Sequence, residues 1–186
     1  MATFFTADLH FAHSAIIEFC DRPFKDVAEM NRSLISNWNS RVSNSDHVYV
    51  VGDIFYGGRD ASGGEEAIAT VKKLNGVLHL IAGNHDLPYL KNANYHYLFA
   101  DVDQLRYLKL EGEHIFLCHY PMAEWSGFYR GSWHVYGHIH NNKDNAAFQF
   151  MKTQERALNA AVDLCQFMPV TFPELKMYNE MFKAAL

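Results

Sequence analysis

Five short polar segments of the chain combine residue types that bind metal ions. Each segment follows or adjoins a run of apolar residues that is typical of a β-strand. Their potential ligands are carboxylates, a carboxamide and imidazoles, which suit Mn²⁺, Fe, Zn²⁺ or Ni²⁺ rather than an iron–sulfur cluster. The segments are Asp8-Leu9-His10, Gly52-Asp53, Gly83-Asn84-His85-Asp86, His119-Tyr120-Pro121 and Gly137-His138-Ile139-His140.

The spacing within two of these segments predicts that paired side chains reach the same ion. In an extended chain, residues i and i+2 point to the same side, so Asp8 can act with His10, and His138 with His140. Side chains at strand ends meet at one edge of a sheet, which is where open α/β sheets bind ligands. Because the donors outnumber those that one tetrahedral ion needs, the pattern predicts two ions that share a carboxylate.

Hydrophobic spacing predicts the elements that must position these segments. Apolar runs predict β-strands at 4–7, 47–51, 77–82, 105–110, 115–117 and 133–136, and a hairpin near Phe148. Helices are predicted after a capping box at Asp26–Glu29, over about 65–74, and from Thr171–Glu174 onward, with a loop at 56–64. The order βαβαβ followed mainly by strands predicts parallel strands with crossover helices, extended by antiparallel strands. We therefore expect one α/β domain over residues 1–186, a sandwich with helices on the outside.

Composition narrows the classes of protein that fit. The chain is 49% hydrophobic and 20% charged, which is ordinary for a globular protein, and it has no apolar run near the roughly 18 residues of a spanning helix. The three cysteines are widely spaced, which predicts buried, reduced thiols, and the N-terminus shows no signal sequence, so we expect a cytoplasmic location. A net charge of −5 argues against a nucleic-acid or membrane partner. It does not exclude an anionic substrate, since two bound dications would dominate the local field.

The complete set D-x-H, GD, GNHD, HYP and GHIH resembles the motifs of the calcineurin-like metallophosphoesterase family, in its compact bacterial and phage form. The resemblance extends from Asp8 to His140 and continues through 158–163, which is similar to the closing strand of those proteins. It implies a metallophosphoesterase-like β-sandwich of mixed sheets flanked by helices, in the layer order α/β/β/α. It also implies two divalent ions per chain, with Mn as the first expectation and Ni, Fe or Zn as alternatives.

The resemblance also implies which residues act. The implied ligands are Asp8, His10 and His140 for one ion, Asn84, His119 and His138 for the other, and Asp53 as the bridge between them. A hydroxide held between the ions would attack phosphorus in line, and His85 would act as the acid near the leaving group. Asp86 would either orient His85 or anchor the turn.

Four further residues have two possible roles each. His13 would touch the substrate phosphate or cap a helix, and Arg22 would clamp a phosphate or form a structural salt bridge. Tyr129 and Arg130 would form a pocket wall or belong to an exposed loop. Five histidines fall outside the pattern and are not expected to be ligands, namely His47, His79, His96, His114 and His134.

The function expected from these features is hydrolysis of a small phosphoester. The chain has no large insertion that would cover the metal edge, which favours a phosphodiesterase with a small, nucleotide-like substrate. Nucleic-acid cleavage is disfavoured because the chain lacks a basic stripe interleaved with aromatic residues. The alternatives are a phosphomonoesterase of the same fold, a mononuclear zinc hydrolase and a metal-stabilised binding module, and the sequence leaves the oligomeric state open.

Overall fold

Two β-sheets form the centre of the fold in the computed structural model, which describes residues 1–56 and 63–184. The strands are β1 (Thr3–Thr6), β2 (His47–Val50), β3 (Val77–Ile81), β4 (Asp101–Asp103), β5 (Leu105–Leu110), β6 (Glu113–Cys118), β7 (Trp133–Tyr136), β8 (Ala157–Asn159) and β9 (Val170–Thr171). The α-helices are α1 (Ala15–Phe19), α2 (Val27–Arg41), α3 (Gly63–Val71), α4 (Ala93–His96), α5 (Ala146–Met151) and α6 (Phe172–Ala184). Short 3₁₀ turns lie at Tyr89–Lys91 and Phe128–Arg130.

The two sheets are mixed. The first has the order β4-β3-β2-β1-β9, in which β1 to β4 are parallel and β9 is antiparallel to β1. The second has the order β5-β6-β7-β8, with an antiparallel β5/β6 pair followed by parallel neighbours. Because β1, β2 and β3 run in the same direction, the segments that follow them reach the same edge of the sheet.

The first sheet is buried on both faces. On one face Phe4 and Val48 pack with Trp38 of α2. On the other face Phe5 packs with Leu117 of the second sheet. Burial on both faces explains why these strands are continuous apolar runs rather than alternating ones.

The far face of the second sheet is covered by α5, because Phe116 and Tyr136 pack there with Phe148 and Met151. Helices therefore lie outside both sheets, which confirms the predicted α/β sandwich. The capping box is also present, since Asp26 accepts the N–H of Glu29 at 2.8 Å and Glu29 accepts that of Lys25 at 2.9 Å. In the described residues, no helix is both long and apolar enough to cross a membrane.

The structure corrects two predictions of local structure. The hairpin predicted near Phe148 is wrong, because this stretch forms α5. Phe148 and Met151, three residues apart, bury one helical face, and Asn145 caps the helix by accepting the N–H of Ala147 at 2.8 Å. The antiparallel extension is correct for the β5/β6 pair and for β9 beside β1, but β6, β7 and β8 are parallel to one another. The predicted closing strand at 158–163 is shorter than expected, since β8 covers Ala157–Asn159. Residues 57–62 of the predicted loop lie outside the described part of the chain.

Candidate metal centre

The segments after β1, β2, β3, β6 and β7 converge at one edge of the two sheets. A first group of donors consists of Asp8, His10 and His140, whose candidate ligand atoms all lie within 4.8 Å of one another. Asp8 Oδ1 lies 3.9 Å from His140 Nε2. Burial raises the pKa of Asp8 to about 6, a cost that a bound cation would offset by favouring the carboxylate.

A second group consists of Asp53, His119 and His138, which also offer ligand atoms within 4.8 Å of one another. Asn84 belongs to the same group, since its Oδ1 lies 3.3 Å from His119 Nε2 and 3.1 Å from His138 Nδ1. His119 Nδ1 donates to the carbonyl oxygen of Val51 at 2.9 Å. That bond leaves Nε2 as the ring nitrogen available to a metal ion.

Asp53 joins the two groups. Its Oδ2 lies 3.3 Å from His119 Nε2 in the second group and 3.7 Å from His10 Nε2 in the first. Its Oδ1 accepts the backbone N–H of His85 at 2.9 Å. Burial opposes the charged form of Asp53, but the hydrogen bond and charge of His119 outweigh it and lower the pKa of the carboxyl group.

The hydrogen bonding of His10 provides evidence, independent of the sequence motifs, that the donors fit a divalent cation. His10 Nε2 is buried and has no hydrogen-bond partner among the described residues. An unpaired buried polar atom costs about 1–3 kcal/mol, which a coordinated cation would offset. Burial, followed by the positive charges of His140 and Arg22, holds the pKa of His10 well below its usual value. The ring is therefore neutral, as a metal ligand must be.

The backbone is left-handed rather than extended at five of the seven predicted ligands. Such a conformation costs about 1–2 kcal/mol for a residue with a side chain and is concentrated at functional sites. The i, i+2 argument from extended chain is therefore wrong in its geometry. Asp8 and His10 still converge on one donor group, but His138 and His140 belong to different groups, so the prediction that they reach the same ion is wrong. Positive φ angles occur at Asp8 (56°), His10 (52°), Asp53 (55°), His138 (71°) and His140 (50°).

Glycines beside the ligands allow this close approach. Gly52 has a φ of 89°, and a Cβ atom there would overlap the ring of His119. A Cβ atom at Gly83 would overlap the carboxylate of Asp53. Any other residue at these two positions would therefore clash with a predicted ligand.

Asp86 anchors the turns that carry the ligands. Its buried carboxylate accepts the N–H groups of Asp53 at 2.7 Å, Gly83 at 2.8 Å and Ile54 at 3.1 Å. Burial, and then the charge of Asp53, raises the pKa of Asp86 to about 7. Because these hydrogen bonds go to backbone groups and tie the β2 turn to the β3 turn, they support the anchoring role and not the orientation of His85.

His85 lies at the wall of an open cavity of about 410 Å³ beside the first group of donors. Its side chain is 34% exposed, and its Nε2 lies 3.9 Å from Asp53 Oδ2. His13 lines the same cavity and stacks on Tyr56 with ring centroids 3.8 Å apart. The helix that follows begins at Ala15 with Ser14 at its N-cap, so the structure does not support the capping role of His13.

Arg22 does not face this cavity. Its side chain is fully buried, with Nε 2.8 Å from Asp163 Oδ1, and it donates to the carbonyl oxygens of Asp8 at 2.7 Å and Leu9 at 2.9 Å. The phosphate-clamp reading is therefore corrected in favour of the structural salt bridge. The partner, Asp163, was missed by the sequence analysis, and it accepts a hydrogen bond from His140 Nδ1 at 2.9 Å. The contacts of Asp163 join residues that are far apart in the chain, so no spacing in the sequence predicts them. The only signal for Asp163 was its position as an acidic residue at the end of the 158–163 stretch.

Tyr129 and Arg130 are exposed on a 3₁₀ turn and do not line the cavity beside the donors. The Tyr129 hydroxyl instead lies 3.4 Å from Glu124, so the pocket-wall reading is replaced by the exposed-loop reading. The five histidines outside the motifs belong to neither donor group. Cys20 and Cys165 are buried free thiols, and Cys118 is partly buried.

Comparisons with known proteins identify the family. Residues 1–159 match the model of one protein family, which is described as "Calcineurin-like phosphoesterase superfamily domain". The chain is 32% identical over 165 residues to an uncharacterized protein of Methanocaldococcus jannaschii, a match that covers 89% of this chain and 84% of that protein. It is 35% identical over 96 residues to the gene 66 protein of Mycobacterium phage L5, covering 52% of this chain and 45% of that protein.

A solved structure shares the fold. The crystal structure of a protein of unknown function from Aquifex aeolicus matches with a TM-score of 0.70 and 23% identity, over 94% of this chain and 97% of that one. The family match spans most of the chain and includes every predicted ligand. The chain therefore belongs to the calcineurin-like phosphoesterase superfamily, whose members hydrolyse phosphoesters with divalent metal ions.

Proposed function

We propose that the protein is a phosphodiesterase that hydrolyses small, nucleotide-like phosphodiesters at a centre of two divalent ions. The observation that carries the proposal is the position of Asp53 Oδ2, which lies 3.3 Å from His119 Nε2 and 3.7 Å from His10 Nε2. A carboxylate oxygen between two groups of donors is suited to bridging two cations. One ion would be held by Asp8, His10 and His140, and the other by Asn84, His119 and His138.

Mn²⁺ is the ion that we expect, with Ni²⁺, Fe or Zn²⁺ as alternatives, because the donors are oxygens and imidazoles without a thiolate. When bound, the ions would lower the pKa of the attacking water and neutralise charge on the phosphoryl oxygens. The buried donors in turn need cations, since the carboxylate of Asp8 and the orphaned Nε2 of His10 are otherwise poorly stabilised.

We assign to His85 the role of the acid that protonates the leaving oxygen. Its imidazole reaches both the cavity and Asp53, and its backbone is held by the hydrogen bond to Asp53 Oδ1. As the bond from the attacking oxygen to phosphorus forms, the bond from phosphorus to the leaving oxygen breaks. The proton of His85 passes to that oxygen, which departs as an alcohol.

The open cavity supports a small substrate. Its volume of about 410 Å³ falls in the range of roughly 300–1,000 Å³ that is usual for small-molecule sites. His13 and Tyr56 form a stacked pair on its wall, and Phe19 lies at its edge. We propose that His13 contacts the substrate there.

A turnover panel tests the proposal. The chelated protein would be reloaded with Mn²⁺, Ni²⁺ or Zn²⁺ and assayed with p-nitrophenyl phosphate, bis(p-nitrophenyl) phosphate and cyclic nucleotides. We expect metal-dependent turnover that is faster on the diesters than on the monoester. A faster monoester would indicate the phosphomonoesterase, and no turnover with any pair would contradict an enzyme.

Replacing His85 with asparagine is expected to lower kcat by about 10²–10⁴-fold while two ions remain bound. The loss should be larger for a cyclic nucleotide, whose alkoxide needs a proton to leave, than for a nitrophenyl ester, whose leaving group departs as a stable anion. Steady-state kinetics and metal analysis would measure this. His114→Asn, at an exposed histidine on β6, is the matched control. An equal loss on both substrate types would rule out the acid role.

A further inference from the structure

A second cavity borders the metal centre, and the mechanism above does not use it. It has a volume of about 220 Å³ and is lined by residues that include Gly83, Leu87, Gln104, Leu105 and Tyr120. These residues come from the loop after β3, from the start of β5 and from the segment after β6. We name it the Tyr120 cavity.

The walls of the Tyr120 cavity are apolar and accessible. Leu87 is 48% exposed, Leu105 is 56% exposed and Tyr120 is 46% exposed. A single exposed apolar side chain is ordinary, but three that line one cavity beside a polar site form a patch of the kind that marks a ligand site.

The Tyr120 cavity adjoins the second group of donors. The ring of Tyr120 lies 5.2 Å from the ring of His119 and 4.8 Å from that of His138, measured between centroids. Gly83, which lines the cavity, directly precedes Asn84. The larger cavity is lined by His10 and His140 of the first group, and it reaches the second group only at His138. Among the described residues, the two linings have no residue in common.

A phosphodiester has one substituent that leaves and one that stays on phosphorus. The larger cavity contains His85, the proposed acid, so the leaving group belongs there. The substituent that stays on phosphorus would then extend past His138 towards Tyr120. A flat ring is the group that gains most at this position, since it can stack on an exposed tyrosine. Gln104 offers an amide donor and acceptor at the wall.

We infer that the Tyr120 cavity binds a planar aromatic substituent that stays on phosphorus during hydrolysis, so the preferred substrates are phosphodiesters with an aryl group or a nucleobase on that side. The inference rests on the proposed function and deepens it by naming the substrate class. A monoester lacks the second substituent and cannot use the cavity.

Two esters with the same leaving group isolate this effect. Bis(p-nitrophenyl) phosphate retains an aromatic ring after cleavage, whereas methyl p-nitrophenyl phosphate retains a methyl group. For Tyr120→Ala, we expect the ratio of kcat/KM for the diaryl ester to that for the methyl ester to fall about 5–100-fold, as is usual for the loss of one stacking contact. Tyr97→Ala, at a tyrosine that is 82% exposed elsewhere, should preserve the ratio.

A second variant tests another residue that lines the cavity. Leu105→Glu places a negative charge in the cavity at an exposed position on β5, and it should lower the same ratio. Metal content is measured alongside, because Tyr120 touches two predicted ligands.

A ratio that stays at its wild-type value in both variants would overturn the inference, even if the wild-type protein hydrolyses both esters. An unchanged ratio that comes with equal losses on the two esters would assign Tyr120 to the ligands rather than to the substrate. Wild-type protein that hydrolyses neither ester would instead remove the proposed function, and the inference with it.

Discussion

Replacing Asp53 with asparagine is expected to reduce the number of divalent ions bound per chain and to lower kcat by about 10²–10³-fold or more. The carboxylate oxygen Oδ2 lies 3.3 Å from His119 Nε2 and 3.7 Å from His10 Nε2, so a single charge serves both donor groups. An amide of the same shape keeps an acceptor for the His85 N–H, which is 2.9 Å from Oδ1. The fold should therefore survive while the attraction for both cations is lost.

Metal analysis after equilibrium dialysis, together with circular dichroism, would measure this result. Asp103→Asn is the matched control, because Asp103 also carries an ion pair, at 2.7 Å from Arg106, on an edge strand outside the donor groups. Two ions per chain and unchanged turnover in the Asp53 variant would contradict the bridging role. One ion per chain in the saturated wild-type protein would favour a mononuclear hydrolase.

Replacing Arg22 with methionine is expected to lower the free energy of unfolding by about 3–5 kcal/mol, which is usual when one partner of a buried ion pair is removed. For a chain of this size, the melting temperature should fall by roughly 6–20 °C. Arg22 and Asp163 are both buried, with Nε 2.8 Å from Oδ1. The variant removes the guanidinium from the buried carboxylate, which keeps only its contact with His140, and it leaves the carbonyl oxygens of Asp8 and Leu9 without their donor.

The same ion pair positions a predicted ligand. Asp163 accepts a hydrogen bond from His140 Nδ1 at 2.9 Å, which directs Nε2 towards Asp8. Hydrogen-bond partners of metal ligands usually contribute about 10–100-fold to metal affinity. Asp163→Asn should therefore weaken the binding of one of the two ions by that factor. Titration calorimetry of the chelated protein would detect it as a change confined to one binding step.

A surface ion pair is the control for both variants. Arg41 and Glu174 lie 2.7 Å apart but are 26% and 33% exposed, so Glu174→Gln should cost no more than about 1 kcal/mol. Replacing Arg22 and Asp163 together with Met and Leu should restore part of the stability, since apolar pairs can substitute for buried ion pairs. A loss in Arg22→Met no larger than that in Glu174→Gln would contradict the buried-pair account.

Local patterns in the sequence were sufficient to predict several strands, the candidate ligands and one helix cap. The strands that precede Asp8, Asp53 and Asn84 are apolar runs that end in polar turns, so both the elements and the candidate ligands could be predicted. The capping box before α2 depends only on residues within one helical turn. These features could be predicted because neighbours in the chain determine them.

The tertiary structure decided what depends on distant residues. Phe148 became part of a helix because its partners are Phe116 and Tyr136 of the second sheet. The side chain of Arg22 is buried because it pairs with Asp163, whose Oδ1 lies 2.8 Å from its Nε. The two residues are 141 positions apart in sequence, so no local pattern predicts the contact.

The tertiary structure also decided the backbone geometry of the candidate metal centre. Five of the seven predicted ligands have left-handed rather than extended backbone. No local pattern favours this conformation, which persists only where the surrounding structure holds it. The sequence by itself thus determined the candidate residues for the chemistry, because their types and spacing are local features, and the tertiary structure determined which way each of them points.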